Sequence, residues 1–437
     1  MTLLIDLLYA LLVCVGWPFL ILRRLKRGPG SLALRERFGD VPSRKVSAHC
    51  VWLHGVSLGE INATRTIVAE LHRESPNTVV VISSTTRTGL EQARKLYHPR
   101  NLVFRFPLDF SFVVRRTLRR IRPSVIVLME LEAWPNLIEI ATAWGVPVVI
   151  ANGRVTEEKS MRRFGRPGIR WFAKRMFGRI AWVGAQDETY VERFARLGVH
   201  RERIEVTGSV KYDAADVCDR IEGQDELAAE MGIDLARPLW VCGSTGPDEE
   251  ALILDAYEKV LRDVPYLQLA LIPRKPERFD EVADLIASRG HACVRRSGKP
   301  AAAGASDRNG PPVFLGDTMG ELRKFYALAT VVFVGRSLVP LGGSNPIDPA
   351  GLAMPLVFGP HMYNFPEADE LFAASGAARV VRDADSLAQT LSDLLQSPDR
   401  LGEMGRAARA AVRGRQGATA RNTDLVAHAI CAGEESP

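Results

Sequence analysis

Short apolar runs alternate with amphipathic stretches along most of the chain. NTVVVIS (77–83), SVIVLME (124–130) and PVVIAN (147–152) would be apolar on both faces of a strand, and each is followed by apolar positions at helical spacing. Strands buried on both faces and separated by helices are typical of a parallel sheet covered on its two sides. The pattern therefore predicts a doubly wound α/β domain.

The alternation stops at a polar stretch, residues 216–237, and begins again at PLWVCGS (238–244). A chain of 437 residues is long enough for two or three domains. We assign residues 25–215 to one Rossmann-like domain and residues 235–437 to a second. Ligands of such folds bind at the carboxyl ends of the strands, so we expect a site in a cleft between the two domains.

The first residues are unlike those of a typical globular enzyme. LLIDLLYALLVCVGWPFLIL (3–22) contains a single acid, Asp6, and is followed directly by RRLKR. About twenty apolar residues can cross a bilayer, and positive charge behind the run argues against a cleaved signal peptide. We predict a membrane anchor over residues 1–24, with the later domains on the cytoplasmic side of the inner membrane. Gly16 and Pro18 leave a shallower, interfacial helix as the alternative.

The formal net charge of +6 has its densest contribution in MRRFGRPGIRWFAKRMFGR (161–179). This segment predicts an amphipathic helix on an anionic membrane surface, or else a solvated helix packed by its aromatic side. No nucleic-acid-binding motif accompanies it, so nucleic acid is not an expected partner. The cysteines have no CxxC spacing, which argues against a zinc site or a disulfide framework.

A glutamate stands where a helix is predicted to begin, directly after the strand Val51–Leu53. The connecting segment HGVSLGE contains two glycines and ends at Glu60. One interpretation is an acid in the first helical turn, stabilised by the helix macrodipole. The other is a general base beside a gap that Gly55 and Gly59 keep open for a bulky substrate.

Two later strand ends in the first half also carry charged residues. MELEAWPN places Glu130 and Glu132 after the strand Val125–Leu128, and the turn that follows predicts that only one of them faces the cleft. Lys211 in GSVKYD follows another strand. It is placed either to meet a developing negative charge or to pair with a nearby acid.

Strand-end loops of the second half contain groups suited to an anion. GGSNPID precedes a predicted helix opened by Pro346, with Asp348 in its first turn, and Arg274 follows the strand in IPRKPERF. Free backbone N–H groups at a helix start and an arginine fork both bind phosphate. The alternative is an ordinary capped helix start.

Six segments occur in order along the chain: WLHGVSLGE, MELEAWPN, VTGSVKYD, PRKPERF, GDTMGEL and FVGRSLVPLGGSNPIDPAGLAMPLVFGPHMYNF. Together they resemble the motifs of the 3-deoxy-D-manno-octulosonic acid (Kdo) transferases, membrane-anchored enzymes that attach Kdo to lipid A precursors. The resemblance implies the GT-B fold, with two Rossmann-like domains facing a cleft, and CMP-Kdo as the donor.

Positions within these motifs suggest the roles of individual residues. The resemblance implies that Glu60 is the general base and that Glu130 and Lys211 assist at the transition state. It also implies that the donor is bound by Pro273, Arg274, Met319, Gly320, Glu321, Asn345, Pro346, Ile347 and Asp348.

The second half departs from the family pattern at several positions. Gly246, Lys275 and Ser344 stand where the family usually has histidine, Asp348 replaces a glutamate, and Arg336 replaces a glycine. All of these lie in the half that would bind the donor. They therefore bear on the identity of the activated sugar more than on the type of reaction.

The resemblance implies that Glu60 removes the proton of the acceptor hydroxyl while CMP leaves the anomeric carbon. CMP departs with a single phosphate, whose charge Lys211, Arg274 and a helix start can meet, so we expect neither a metal nor a cofactor. The DxD triplet Asp383–Asp385 precedes a helical pattern and is interpreted as a helix cap.

Two other functions stay open. One is a GT-B enzyme acting on a different activated sugar, although the anchor argues against an epimerase of a soluble UDP-sugar. The other is an inert relative that binds glycolipid, against which the three charged residues Glu60, Glu130 and Lys211 argue. The expected partners are CMP-Kdo, a lipid A precursor and the membrane surface.

Overall fold

The computed structural model describes residues 2–11, 34–44, 48–298 and 310–434. The chain divides into two compact units. Unit 1 comprises Met1–Ala214 and Gln416–Pro437, and unit 2 comprises Ala215–Arg415.

Unit 1 is built on a parallel sheet. Its strands are β1 (Cys50–His54), β2 (Val79–Ser84), β3 (Leu102–Arg105), β4 (Val125–Met129), β5 (Val148–Gly153), β6 (Trp182–Ala185) and β7 (Ile204–Val206). They form one seven-stranded sheet in the order β3-β2-β1-β4-β5-β6-β7, with every neighbouring pair parallel. The first strand, β1, lies inside the sheet, and β2 and β3 extend the sheet to one side of it. The chain then returns to the other side of β1 with β4, so the topological switch point lies between β1 and β4.

Helices cover both faces of this sheet. In chain order they are α1 (residues 2–11), α2 (Leu34–Arg37), α3 (Leu58–Glu74), α4 (Arg87–Tyr97), α5 (Ser111–Ile121), α6 (Pro135–Ala143), α7 (Arg162–Phe164), α8 (Ile169–Phe177), α9 (Glu188–Leu197) and α10 (Val210–Asp213). Successive residues of a strand point to opposite faces. Cys50 and Trp52 of β1 accordingly belong to one core cluster, whereas Val51 and Leu53 belong to another. Unit 1 is therefore doubly wound, as predicted.

Unit 2 repeats the architecture. Its strands are β8 (Leu239–Thr245), β9 (Gln268–Pro273), β10 (Cys293–Arg295), β11 (Val313–Leu315), β12 (Val331–Val334), β13 (Leu356–Phe358) and β14 (Ala378–Val380). They form a seven-stranded parallel sheet in the order β10-β11-β9-β8-β12-β13-β14. The switch point lies between β8 and β12. The helices are α11 (Gln224–Met231), α12 (Glu249–Val260), α13 (Phe279–Ser288), α14 (Leu322–Ala327), α15 (Ile347–Gly351), α16 (Pro366–Ala374), α17 (Ala384–Leu395) and α18 (Pro398–Arg413).

The last helix does not belong to the unit that precedes it. α19 (Ala418–Glu434) packs against α3 and β5, and its residues Ala418 and Val426 lie in the same core cluster as Val51. The assignment of residues 235–437 to one domain is therefore wrong for this segment. Apolar spacing shows that a helix has a buried face, but it does not show which sheet covers that face.

The polar stretch at residues 216–237 belongs to unit 2. Unit 2 begins at Ala215, whereas its assigned start was residue 235, and it includes α11 (Gln224–Met231). Gln224 stabilises the start of this helix because its Oε1 accepts a hydrogen bond from the backbone N–H of Ile221 at 2.7 Å.

The basic segment predicted as one long helix is interrupted. A π-helical turn at Glu157–Met161 leads into α7, which ends at Phe164, and α8 begins only at Ile169. Between them Gly168 has a φ of +83°, a backbone conformation that a continuous α-helix excludes. The interruption follows from the sequence GRPG, whose proline and two glycines the prediction underweighted.

The predicted anchor lies mostly outside the described residues. Its first part is α1, and residues 12–24 are not described. α1 docks on unit 1 because Asp6 Oδ1 accepts hydrogen bonds from Ser111 N at 2.8 Å and Asn136 Nδ2 at 2.9 Å. Within the described ranges, no helix combines the length and the apolar character that a bilayer crossing requires.

Candidate functional site

Glu60 lies at the carboxyl end of β1 as the third residue of α3. Its Oε1 accepts hydrogen bonds from Ser57 N at 3.2 Å and Ser57 Oγ at 2.7 Å, and its Oε2 accepts one from Val56 N at 2.9 Å. In return Ser57 Oγ accepts from Glu60 N at 3.3 Å, which completes a capping box. Glu60 therefore stabilises the helix start, as the first interpretation predicted. The same contacts hold the carboxylate in one fixed orientation at the switch point of the sheet.

Glu130 and Glu132 follow β4, the strand next to β1 across the switch point. Glu130 has a φ of +57°, a left-handed conformation that is uncommon for residues other than glycine, asparagine and aspartate. Strained backbone of this kind is often found at functional sites. Glu130 N donates to Ala151 O at 3.0 Å, which fixes the strained residue against the end of β5.

Glu132 is a site residue whose importance the sequence did not reveal. Burial, together with the negative charges of Glu60 and Glu130, raises the pKa of its carboxyl to about 8. The three acids are thus close enough to influence one another. The prediction that only one of Glu130 and Glu132 faces the cleft did not include this electrostatic coupling. A group of carboxyl groups with a strongly perturbed pKa is a recognised sign of an active site.

Lys211 lies in α10, directly after β7. The backbone N–H of Val210 donates to Asn152 Oδ1 at 3.2 Å, so the start of α10 is held at the end of β5. α10 also packs against α3, the helix that begins at Leu58 and contains Glu60. The fold therefore brings the helices of Lys211 and Glu60 together on the carboxyl side of the sheet.

Asp213, in the same short helix, connects it to the C-terminal helix. Its Oδ1 accepts from Gly417 N at 2.6 Å and its Oδ2 accepts from Thr419 N at 2.5 Å. The carboxylate thus satisfies free N–H groups at the start of α19. α19 in turn places Asn422 Oδ1 on the backbone N–H of Asn152 at 3.1 Å. The returning chain end thereby braces the strand ends around Lys211.

In unit 2, Arg274 follows β9 directly. Its backbone N–H donates to Thr245 O at 3.1 Å, which holds it beside the end of β8. Burial lowers the pKa of its guanidinium, and the positive charge of Arg336 lowers it further. Among the described residues no carboxylate lies within ion-pair distance of Arg274, so the structure leaves its fork available for an anion.

The loop after β11 contains the predicted contacts Met319, Gly320 and Glu321. The Glu321 carboxylate accepts hydrogen bonds from Arg296 at 2.9 and 3.1 Å and from Thr318 Oγ1 at 2.6 Å. The Arg296 contact lowers the pKa of Glu321 to about 2. Glu321 is therefore engaged in holding its own loop, while the Met319 side chain is 69% exposed.

The loop Asn345–Asp348 precedes a helix that is shorter than its sequence suggested. α15 contains five residues, so its dipole is weak, and Asn345 Oδ1 already accepts from Ile347 N at 3.1 Å. Burial raises the pKa of Asp348. Asp348 and Arg274 both lie close enough to the buried Tyr326 for their charges to shift its pKa in opposite directions. The two predicted donor loops therefore converge on Tyr326.

Glu249 is another residue that sequence inspection passed over. Its buried carboxylate accepts backbone hydrogen bonds from Gly246 at 3.2 Å, Arg336 at 2.5 Å, Ser337 at 2.9 Å and Leu338 at 3.0 Å. These donors belong to the loops after β8 and β12, on either side of the switch point. Glu249 thus fixes the backbone of both loops through these four hydrogen bonds.

The DxD triplet is a helix cap, as predicted. Asp383 Oδ1 accepts from Ser386 N at 2.8 Å at the start of α17, within a capping box. Asp385 forms an ion pair with Lys259. Among the described residues, no group of three or more histidine, cysteine, aspartate and glutamate side chains is arranged to hold a metal ion.

Unit 1 also contains a cavity of about 390 Å³ in its basic segment. Its lining includes the cations Arg170, Lys174 and Arg196 together with apolar Phe164 and Leu197. Nearby, Trp171 is 67% exposed although it is a large aromatic residue. Basic and apolar groups therefore share one surface of unit 1.

Comparison with known proteins gives consistent matches. A family model described as 3-deoxy-D-manno-octulosonic-acid transferase (kdotransferase) matches residues 33–214. The chain is 33% identical over 377 residues to the 3-deoxy-D-manno-octulosonic acid transferase of Haemophilus influenzae, covering 86% of each chain. It is 34% identical over 422 residues to the enzyme of the same name from Bordetella pertussis, covering 92% of this chain and 94% of that one.

Solved structures with lower sequence similarity share the fold. A glycosyltransferase from Rickettsia africae superimposes with a TM-score of 0.58 at 13% identity, covering 90% of this chain and all of the other. The predicted GT-B class, with two doubly wound parallel-sheet domains, is confirmed.

Proposed function

Because the chain belongs to the Kdo transferase family of glycosyltransferases, we propose that it transfers Kdo from CMP-Kdo to a lipid A precursor. Unit 1 binds the acceptor and unit 2 binds the donor. The reaction is a single displacement that inverts the anomeric carbon of the donor. This proposal goes beyond the family assignment in its donor, its acceptor and its stereochemistry.

The observation that carries the proposal is the fixed carboxylate of Glu60 at the switch point of unit 1. One base that is held in place can remove the acceptor proton while the hydroxyl attacks, which is what an inverting displacement requires. Three donors orient the Glu60 carboxylate, so little reorganisation is needed during the reaction. Glu130 lies at the end of β4, next to β1, and Lys211 lies in α10, which packs against α3. We assign both residues to stabilising the transition state.

The donor half of the proposal rests on Arg274 and the loops around it. Arg274 has an unpaired fork among the described residues and sits at the end of a central strand, where such sheets bind ligands. We assign Pro273 and Arg274 to the phosphate. Met319 and Gly320, together with Asn345–Asp348, are assigned to the nucleoside, with Glu321 supporting its loop. Lys275 and Ser344 replace the usual histidines beside these residues.

We propose that the reaction needs no metal ion. The leaving CMP carries a single phosphate, whose developing charge Arg274 can neutralise as a preorganised cation. Activity that is unchanged by a chelator supports this proposal. Activity that is lost on chelation and restored by added Mg²⁺ contradicts it.

We further propose that the protein associates with the cytoplasmic face of the inner membrane. α1 exposes Leu3, Leu4, Leu7, Leu8 and Leu11, each between 55% and 77% exposed. Its opposite side docks on unit 1 through Asp6 and through Tyr9, whose hydroxyl donates to Asp109 Oδ2 at 3.3 Å. The charge of Arg163 reaches Tyr9, which places the basic segment near the same surface. Leucines beside arginines suit an anionic lipid surface.

The direct test is to incubate the purified protein with CMP-Kdo and a tetraacylated lipid A precursor and to analyse the lipid by mass spectrometry. The proposal predicts a product heavier by one or more Kdo residues, formed together with free CMP. A parallel incubation with a UDP-sugar is the control and should leave the lipid unchanged.

The same assay separates the two alternatives. A lipid product that forms only with a different activated sugar would show that the family departures in unit 2 have changed the donor. Binding of the lipid without any product would indicate an inert relative.

A further inference from the structure

Two residues that depart from the family pattern are in contact with each other. A Cβ atom added to Gly246 would lie 3.1 Å from Cγ and 3.9 Å from Cδ of Arg336. Gly246 follows β8 and Arg336 follows β12, and these strands are neighbours at the switch point of unit 2. The Arg336 side chain therefore fills space that any larger residue at position 246 would need.

The backbone at Arg336 is suited to glycine. Its φ is +63°, a left-handed conformation that is costly for a residue with a Cβ atom and free of steric cost for glycine. The conformation is imposed by the loop, because Arg336 N donates to Glu249 Oε2 at 2.5 Å and Arg336 O accepts from Gly343 N at 2.7 Å. An arginine at this position has a strained backbone, which points to a role for its side chain.

Intramolecular hydrogen bonds use only part of the donor capacity of the Arg336 guanidinium. Its Nη2 donates to Leu341 O at 2.9 Å, and no carboxylate of the described chain lies within ion-pair distance of it. The single contact orients the group and leaves most of its N–H donors unused.

A second unpaired guanidinium lies close by. Arg274, at the end of β9, is near enough for the charge of Arg336 to lower its pKa, after the larger effect of burial. β8 lies between β9 and β12 in the sheet, so the two arginines approach each other across the end of β8, where Gly246 has no side chain. Two cations that repel each other at a ligand-binding strand end are stabilised by an anion placed between them.

We propose that Arg336 is a second anion-binding residue of the donor site, acting with Arg274 on the phosphate of the nucleotide, and that Gly246 makes room for it. The inference rests on the proposed function, since it takes the donor to be a CMP-sugar. The sugar of that donor carries a carboxylate as well as the phosphate, and both groups offer the paired oxygens that a guanidinium binds.

The test is Arg336→Gly, with CMP and cytidine binding measured by calorimetry on the full-length protein. CMP affinity should fall by about tenfold to hundredfold, the effect of losing a charge-assisted contact, while cytidine binding stays unchanged. Because glycine suits the backbone, the thermal midpoint should be equal to or above that of the wild type.

Arg122→Gly is a matched control. Arg122 also has a left-handed backbone, with a φ of +49°, but it is exposed at the end of α5 in unit 1. This substitution relieves the same kind of strain and removes the same charge, and CMP affinity should not change.

The outcomes identify the anion. If CMP affinity is unchanged but the KM for CMP-Kdo rises by about tenfold, Arg336 binds the carboxylate of the sugar, and its assignment to the phosphate is overturned. If neither CMP affinity nor that KM changes, the inference is overturned while the proposed function stands. A wild-type protein that binds neither CMP nor CMP-Kdo would overturn the proposed function itself and the inference with it.

A double substitution tests whether Gly246 makes the space. Gly246→Ala should shift the Arg336 side chain, because the added Cβ would lie 3.1 Å from its Cγ, and should weaken CMP binding, though by less than Arg336→Gly does. The free end of Leu341, 2.6 Å from that Cβ, can rotate away. In the Arg336→Gly background the same alanine should have little further effect. If the losses of CMP affinity from the two substitutions simply add in the double variant, the proposal that Gly246 makes room for Arg336 is refuted.

Discussion

Glu132 keeps its proton at a pH where an exposed glutamate has lost it. Its pKa of about 8 reflects burial first and the charge of Glu60 second. A protonated Glu132 adds no negative charge beside Glu60 and Glu130, which reduces the repulsion among the three acids.

Replacing Glu132 by glutamine should stabilise the protein in a pH-dependent way. The pKa of the carboxyl is raised from 4.5 in the unfolded chain to about 8 in the folded protein, so the folded wild type binds the extra proton and loses stability as the pH rises between these values. Glutamine cannot ionise. The thermal midpoint of Glu132→Gln relative to wild type should therefore rise from pH 5 to pH 8.

The magnitude can reach a few kcal/mol, since one pKa unit corresponds to about 1.4 kcal/mol. Glu205→Gln is the control, because Glu205 is exposed on β7 and its side chain stays in water in both states. A difference between Glu132→Gln and wild type that is the same at every pH would contradict the raised pKa.

Arg274 should contribute to donor binding through its charge. Arg274→Ala removes a charge-assisted contact to the phosphate and should weaken CMP binding by roughly 1.5–3 kcal/mol. Arg379→Ala, at the sheet edge in the same unit, is the control. Calorimetry measures the CMP affinity of both variants. An Arg274→Ala protein with wild-type CMP affinity would show that the phosphate binds elsewhere.

Sequence patterns predicted some residues of the site better than others. The spacing of Ser57 and Glu60 matches a capping box, so the helix start and the position of Glu60 were both predictable. The coupling of Glu132 to Glu60 was not, because it depends on how the turn after β4 folds back. Arg336 and Gly246 are ninety positions apart, and only the pairing of β8 with β12 brings them together.

α1 is an element with two different faces. Ile5, Asp6 and Tyr9 face unit 1. Asp6 accepts a hydrogen bond from Asn136 at the start of α6, and the Tyr9 hydroxyl donates one to Asp109. Burial raises the pKa of Asp109 to about 7, while its oxygens accept backbone hydrogen bonds from Asn136 and Leu137. The leucines of the other face remain exposed.

Removing this leucine face should weaken membrane binding. Replacing Leu4, Leu7, Leu8 and Leu11 together by glutamine removes about 1 kcal/mol or more of apolar burial for each side chain that enters the lipid. Flotation with anionic vesicles should show at least about a tenfold lower partition. Leu235→Gln, which changes an exposed leucine of unit 2, should have no effect.

A multiple variant that floats as well as wild type would contradict a contribution of α1. In that case the later part of the apolar run would hold the protein to the membrane without it.

At the scale of elements, the positions of strands and helices were largely predictable and their continuity was not. Apolar positions at helical spacing after the run 77–83 predicted a helix, and α4 occupies Arg87–Tyr97. The basic segment was predicted as one helix because its apolar spacing continues across Gly165–Gly168. Local breakers override such spacing where the chain must turn, which is what happens between α7 and α8.

The whole molecule contains two seven-stranded parallel sheets, and its last helix returns to the first of them. The two series of strands could be recognised from the sequence because each alternates with helices. The return of α19 could not, since its contacts with Asn152 and Thr207 join residues more than two hundred positions apart. Unit 1 therefore depends on the end of the chain.

Loss of the Asp213 contacts should destabilise unit 1 selectively. Asp213→Ala removes the acceptors of Gly417 N and Thr419 N and should lower the stability of the α19 start by roughly 1–2 kcal/mol. Asp383→Ala is the matched control, because it removes a comparable cap from α17 in unit 2.

Hydrogen exchange measured by mass spectrometry distinguishes the two variants. Faster exchange should be confined to peptides of unit 1 for Asp213→Ala and to peptides of unit 2 for Asp383→Ala. Faster exchange of unit 2 in the Asp213→Ala protein would contradict the assignment of α19.

The central claim, that Glu60 is the base of the reaction, is tested most directly by the single-turnover rate of Glu60→Gln. Glutamine keeps the size of the side chain but cannot accept the proton, so transfer should slow by about 10²- to 10⁴-fold while CMP affinity is unchanged. Asp187→Ala, which removes the cap of α9 in the same unit, controls for lost stability and should retain its rate. A folded Glu60→Gln protein with a near wild-type rate would contradict the account and leave Glu60 as a helix cap alone.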